Sequence, residues 1–173
     1  MKKVLTFWFQ TLTPSDWFTK SDDLDRRITE QFEALYYQIV AGETSHWRDS
    51  PSGRLAEIIV LDQFTRNMFR GTPKSFSADG QALMLAQEAV RVGDDQKLDP
   101  VERGFLYMPY MHSESPLVHE KALELFRDLS NLNFEIKHKA IIDQFGRYPH
   151  RNEVLGRSST PQEIEWMKTH PGF

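Results

Sequence analysis

Apolar residues return at intervals of three and four along most of this chain, the spacing that places them on one face of an α-helix. After Ser21, the residues Leu24, Ile28, Phe32, Leu35 and Ile39 form such a stripe, and Gly42 closes it. A second stripe starts from Pro51 with Leu55, Ile58 and Ile59 and carries Asp62 and Arg66 onward. A third helix is predicted over 77–92, with Leu83, Ala86 and Val90 on its face and Gly93 behind it. Shorter helices follow over 100–107, 117–129 and 134–145, the last stopped by Gly146, and a final one starts at Pro161 with Ile164 and Trp166. No stretch alternates with a period of two. The expected fold class is therefore all-α, built from antiparallel helix pairs joined by short loops.

Capping chemistry agrees with the periodicity. Thr13-Pro14, Ser50-Pro51, Asp99-Pro100, Ser115-Pro116 and Thr160-Pro161 each set a side-chain acceptor before proline. The oxygen satisfies a free N–H of the first turn, and proline needs no donor there. Asp99 with Glu102, and Thr160 with Glu163, also have the spacing of a capping box.

Composition narrows the classes. With 173 residues, 39% hydrophobic and 27% charged, the chain is expected to form one all-α domain over 1–173. A net charge of −4, with 21 basic and 25 acidic residues interspersed, argues against nucleic acid as a partner. Cysteine is absent, which removes disulfides and thiol chemistry. MKKVLTFWF opens like a secretory leader but lacks its small-residue cleavage site, and no apolar run approaches a membrane span. A cytoplasmic protein without a membrane partner is expected.

The second stripe ends in a phrase that the chain writes twice. LDQFTRNMFR at 61–70 and IDQFGRYPHR at 142–151 share Asp, Gln, Phe, Arg and Arg in register. Two similar helix–loop–helix halves are expected from this, diverging where Gly146 and Pro149 force a turn in the second copy. If the copies face one another, Asp62 cross-pairs with Arg147 and Asp143 with Arg66, forming a closed internal ion network. The alternative is a ligand site. Arg66, Asn67, Arg70, Arg147, Arg151 and Asn152, with Asp62 and Asp143, would line it, and the surplus of arginine over aspartate favours a small carboxylate or phosphate.

A third cluster, YMPYMHSESP at 107–116, places His112, Ser113 and Glu114 in a turn bracketed by Pro109 and Pro116. Histidine titrates near neutrality, and a carboxylate can fix its tautomer, so His112, with Glu114 and His150, is the candidate acid–base group. His46, His119 and His138 are expected at the surface or the core edge. No HExxH or tight ligand spacing occurs, so no metal site is expected from Asp62, His112, Glu114, Asp143 and His150. No dinucleotide, Walker or nucleophile-elbow motif occurs, and the cofactor stays unassigned. Phe7-Trp8-Phe9 with Trp17-Phe18 reads as core or as a lid over helix ends.

LDQFTRNMFRG, FLYMPYMHSES and IIDQFGRYPHRNEVLGRSST, with FWF near the start, together resemble the bacterial family known as domain of unknown function 924. The resemblance spans the chain, with Thr65 standing where the family pattern has proline. It implies an all-α fold similar to tetratricopeptide-repeat arrays, and it transfers no catalytic residue. Two function classes stay open. One is a binder of a small anion, or an enzyme acting on one through histidine; the other is a helical-repeat module for a peptide or protein partner, with purely structural motifs.

Overall fold

A computed structural model describes residues 1–170, and among them helices and turns account for all regular structure, with no strand. Helix α1 (Lys2–Thr6) continues as a π-helical segment (Phe7–Thr11), and after a loop α2 (Asp22–Val40) follows. Helix α3 (Pro51–Ile58) likewise runs into a π-helical segment (Ile59–Phe64) and then α4 (Thr65–Met68). The remaining helices are α5 (Asp79–Arg91), α6 (Pro100–Met111), α7 (Pro116–Phe126), α8 (Leu132–Phe145) and α9 (Pro161–Met167). No helix is long and apolar enough to cross a membrane.

Four of the five cap–proline pairs start helices as expected. Ser50, Ser115 and Thr160 accept N–H bonds at the starts of α3, α7 and α9, and Asp99 does so for α6. Both capping boxes close. Thr13-Pro14 is the exception. The Thr13 N–H and hydroxyl both bond the Asp16 carboxylate at 2.7 Å, so the segment closes as a turn in the loop before α2.

Pro109 also departs from expectation, lying inside α6 rather than opening a turn. It has no N–H to return to the carbonyl one turn back. The helix nevertheless runs on to Met111 because residues 104–111 are buried, and packing outweighs the lost bond. This helix packs on α3, α5, α7 and α8. The π segment Ile59–Phe64 sits beside it with all six side chains buried, touching α2, α4, α5 and α6.

The core is aromatic where the N-terminal segment enters it. Phe32 and Phe64 meet at 4.7 Å, Phe7 stands edge-on to Phe32 at 5.1 Å, and Trp8 lies 5.5 Å from both Phe64 and Phe105. The face of α5 differs in detail from the expected stripe: Ala82, Leu85, Ala86 and Ala89 are buried, while Leu83 and Val90 flank them. Small residues there let α5 approach α3 and α6 closely.

Candidate functional site

The π segment delivers Asp62 into the interior. An α-helix widened by one residue per turn shifts the phase of its side chains, and such segments recur at functional sites. The Asp62 side chain is 1% exposed. Its Oδ1 accepts the His112 Nδ1–H at 2.8 Å, its Oδ2 accepts the Gln63 amide at 2.6 Å, and the Arg66 guanidinium lies 3.7 Å away. Burial alone would push this carboxyl up. The charges of His112 and Arg66, with the bonds from His112 and Gln63, outweigh it and hold the group well below the ordinary carboxylate range.

His112 therefore has a carboxylate partner, but not the expected one. Glu114 is held by the Arg157 fork at 2.6 and 2.9 Å and by the Tyr148 N–H at 2.8 Å, and its carboxyl is drawn down despite burial by those bonds. It fastens the 146–157 loop to the end of α6. With Nδ1–H given to Asp62, Nε2 is the ring atom left for chemistry, and it makes no hydrogen bond to any described residue. A carboxylate that fixes one nitrogen of a histidine and leaves the other at a cleft is an acid–base arrangement.

Arg66 forks onto Asp79, at the start of α5, with bonds of 2.9 and 3.0 Å. Arg151 reaches the same carboxylate at 3.3 Å and donates to the His112 carbonyl at 3.0 Å. The Phe76 ring backs both guanidinium groups, 5.4 Å from Arg66 and 4.7 Å from Arg151, and the Tyr148 ring stands 4.6 Å from Arg151. Burial and the neighbouring Arg66 charge pull the Arg151 pKa down. Nearer the mouth, Arg70 forks onto Asp25 of α2 at 2.6 and 2.8 Å, and Asn67 donates to the same carboxylate at 2.8 Å.

These groups surround a cleft of about 420 Å³. Among the described residues its lining includes the cationic side chains Lys20, Arg66, Arg70 and Arg151, the histidines His112, His138 and His150, and no carboxylate side chain. A second hollow of about 330 Å³ adjoins it and shares Phe76, His112 and Arg151.

The second copy of the motif divides its residues. Arg151 joins the cleft and His150 lines it, with His150 Nε2 donating to the His170 carbonyl at 2.6 Å. Asp143 is exposed and pairs with Lys139 at 2.7 Å, and Arg147 forks onto Glu163 of α9 at 2.6 and 2.8 Å. Asn152 is buried and bonds Ser159 and Arg157. The expected cross-pairing of Asp62 with Arg147 and of Asp143 with Arg66 is thus contradicted. The reason is position in the fold. The first copy lies on a segment buried all round, whereas α8 packs chiefly on α7 and α6 and turns Asp143 to solvent. Among the described residues no group of three His, Asp or Glu side chains is arranged to hold a metal ion.

Several residues of this region carry no sequence signal. Asp79 and Asp25 lie outside the motifs on other helices, and Lys20 lies in the loop before α2. His119, expected at the surface or the core edge, is completely buried and pairs with Glu135 at 2.6 Å. His138 is 8% exposed, and burial first, then the charge of His112, lowers its pKa to about 3 against the bond to the Phe134 carbonyl. The unfolded imidazole titrates near about 6.5. Between those values the unfolded chain binds the extra proton, so this stability is complete above pH 6.5 and lost as pH falls toward 3. From pH 7.5 to 5.5 His138 should remove about 1.4 kcal/mol. Urea midpoints at the two pH values should show that loss in the wild type and a smaller one in His138→Gln; equal losses would contradict the assignment.

Comparison with known proteins covers nearly the whole chain and names no reaction. A family model described as bacterial protein of unknown function, DUF924, matches residues 4–171. Among solved structures, the chain is similar to ATU0120 from Agrobacterium tumefaciens, itself a protein of unknown function. The two are 32% identical, with 97% of this chain and 96% of that one covered and a TM-score of 0.93. No curated protein matches.

Proposed function

We propose that this chain, which belongs to the DUF924 family of bacterial proteins of unknown function, binds a small anion in the cleft walled by Lys20, Arg66, Arg70 and Arg151. The Asp62–His112 pair would move a proton on the bound molecule through Nε2. One observation carries the reading: among the described residues, four cationic side chains and no carboxylate side chain line the cleft, and Asp79 lines the adjoining hollow instead. Fixed guanidinium forks backed by aromatic rings suit a carboxylate or phosphate, since arginine binds such groups through paired bonds. We place the protein in the cytoplasm and its helices in a tetratricopeptide-like array. A peptide-binding module has weaker support, because the most exposed apolar side chains, Leu117, Met84 and Phe18, lie on α7, on α5 and in the loop before α2.

Thermal unfolding in the presence of inorganic phosphate, acetate and a panel of carboxylated metabolites tests this. A ligand at a hundred times its Kd should add about 2.7 kcal/mol to the wild type. Arg151→Met should lose most of that response. Arg147→Met should lower the melting temperature, because it abandons Glu163 at the start of α9, yet keep the response. The reading fails if no anion stabilises the wild type, or if Arg151→Met responds as the wild type does.

A further inference from the structure

We infer that the anion is a monocarboxylate with a flat apolar body, its carboxylate at Arg66 and Arg151 and its body against Trp17, Phe18 and Met108. The inference rests on the anion-binding reading above and narrows its ligand class.

Charge balance sets the head group. Arg66 and Arg151 share Asp79, Arg66 also faces Asp62, and Arg70 is forked onto Asp25. Three arginines thus stand against three carboxylates. Lys20, which makes no ion pair among the described residues, supplies the surplus. That surplus suits one negative charge. A polyphosphate or tricarboxylate would have to displace Asp25 or Asp79 from partners bonded at 2.6 to 3.0 Å.

The apolar part of the lining sets the body. Trp17 is fixed by its Nε1–H bond to the Trp8 carbonyl at 2.8 Å and stands edge-on to Phe105 at 4.9 Å. Phe18 lies parallel to Phe105, 7° off, with centroids 6.4 Å apart, and is 70% exposed at the cleft. Met108, whose thioether adapts to flat groups, lies deeper and accepts from Gln63. An aromatic side chain left open beside a lone lysine is a surface on which a ring can stack while its carboxylate reaches the guanidinium pair. A cleft of about 420 Å³ suits one such molecule.

Isothermal titration of the full chain with 3-phenylpropionate, propionate, inorganic phosphate and citrate tests the class. A ring burying about 60 Å² at about 25 cal/mol per Å² makes 3-phenylpropionate about tenfold tighter than propionate. Phe18→Ser should erase most of that gap, weakening 3-phenylpropionate far more than propionate. Equal binding of the two acids, a gap that survives Phe18→Ser, or tighter binding of phosphate or citrate would overturn the class and leave the anion reading standing. Absence of binding by all four would remove both.

Discussion

Replacing His119 with leucine is expected to lower stability by about 3–5 kcal/mol, the cost of breaking a fully buried ion pair. His119 and Glu135 have no exposed side-chain surface, and Nδ1 meets Oε1 at 2.6 Å. The other nitrogen, Nε2, lies 2.9 Å from the Ser113 carbonyl, which can only accept, and 3.2 Å from the Tyr148 hydroxyl, which donates to the Met111 carbonyl. The ring therefore carries a proton on Nε2 and shares another with the carboxylate. Removing it strands Glu135, whose Oε2 already has no hydrogen-bond partner among the described residues. His119→Leu with Glu135→Leu removes both charges together, and the double variant should recover most of the loss. Urea denaturation reads both. A single variant within about 1 kcal/mol of wild type would show that the pair is not held as described. The same bonds brace the turn 111–113, so His119→Leu should also weaken the response to anions.

Asp62→Asn is expected to cost about 2–3 kcal/mol at pH 7, less than a fully broken pair because Arg66 keeps its Asp79 fork. The pH dependence identifies the cause. Native Asp62 is held below the ordinary carboxylate value, so the unfolded chain takes up its proton first. Its stabilisation is complete above the unfolded value of about 3.9 and is lost as pH falls through the lower folded value. The difference between wild type and variant should stay flat from pH 7 to 5 and shrink below about pH 4. A difference that widens on acidification would contradict the assignment. Here the measurement is denaturant unfolding across that pH series.

The helices were legible because proline caps and three–four spacing are local physics. Ser50, Asp99, Ser115 and Thr160 each act within one turn of themselves. Thr13-Pro14 has the same local form but lies in a loop where Asp16 supplies the acceptor. Pro109 reads as a stop only if burial is ignored, and burial is a property of the assembled molecule. The site was half legible. Arg66, Arg151 and His112 belong to the repeated and histidine motifs and do meet at one cleft. Their arrangement was not readable, because it depends on Asp79 and Asp25, lone aspartates on other helices. The repeat itself misleads: identical letters at Asp62 and Asp143 land on a central segment and on an edge helix, one buried and one in solvent. His119 shows the same limit, since a histidine on an amphipathic helix carries no mark of the Glu135 that will bury beside it.

In the proposed function, His112, held by Asp62 at one nitrogen, would offer the other to an anion gripped by Arg66 and Arg151. Nitrogen NMR of the protein labelled at histidine, titrated with 3-phenylpropionate, tests it most directly. The account predicts that His112 Nε2 shifts with saturation while its Nδ1 keeps the signature of a proton bonded to carboxylate, that His46 stays fixed, and that Arg151→Met abolishes the shift. A His112 resonance that does not move while the ligand binds, or one that moves equally in Arg151→Met, would contradict it.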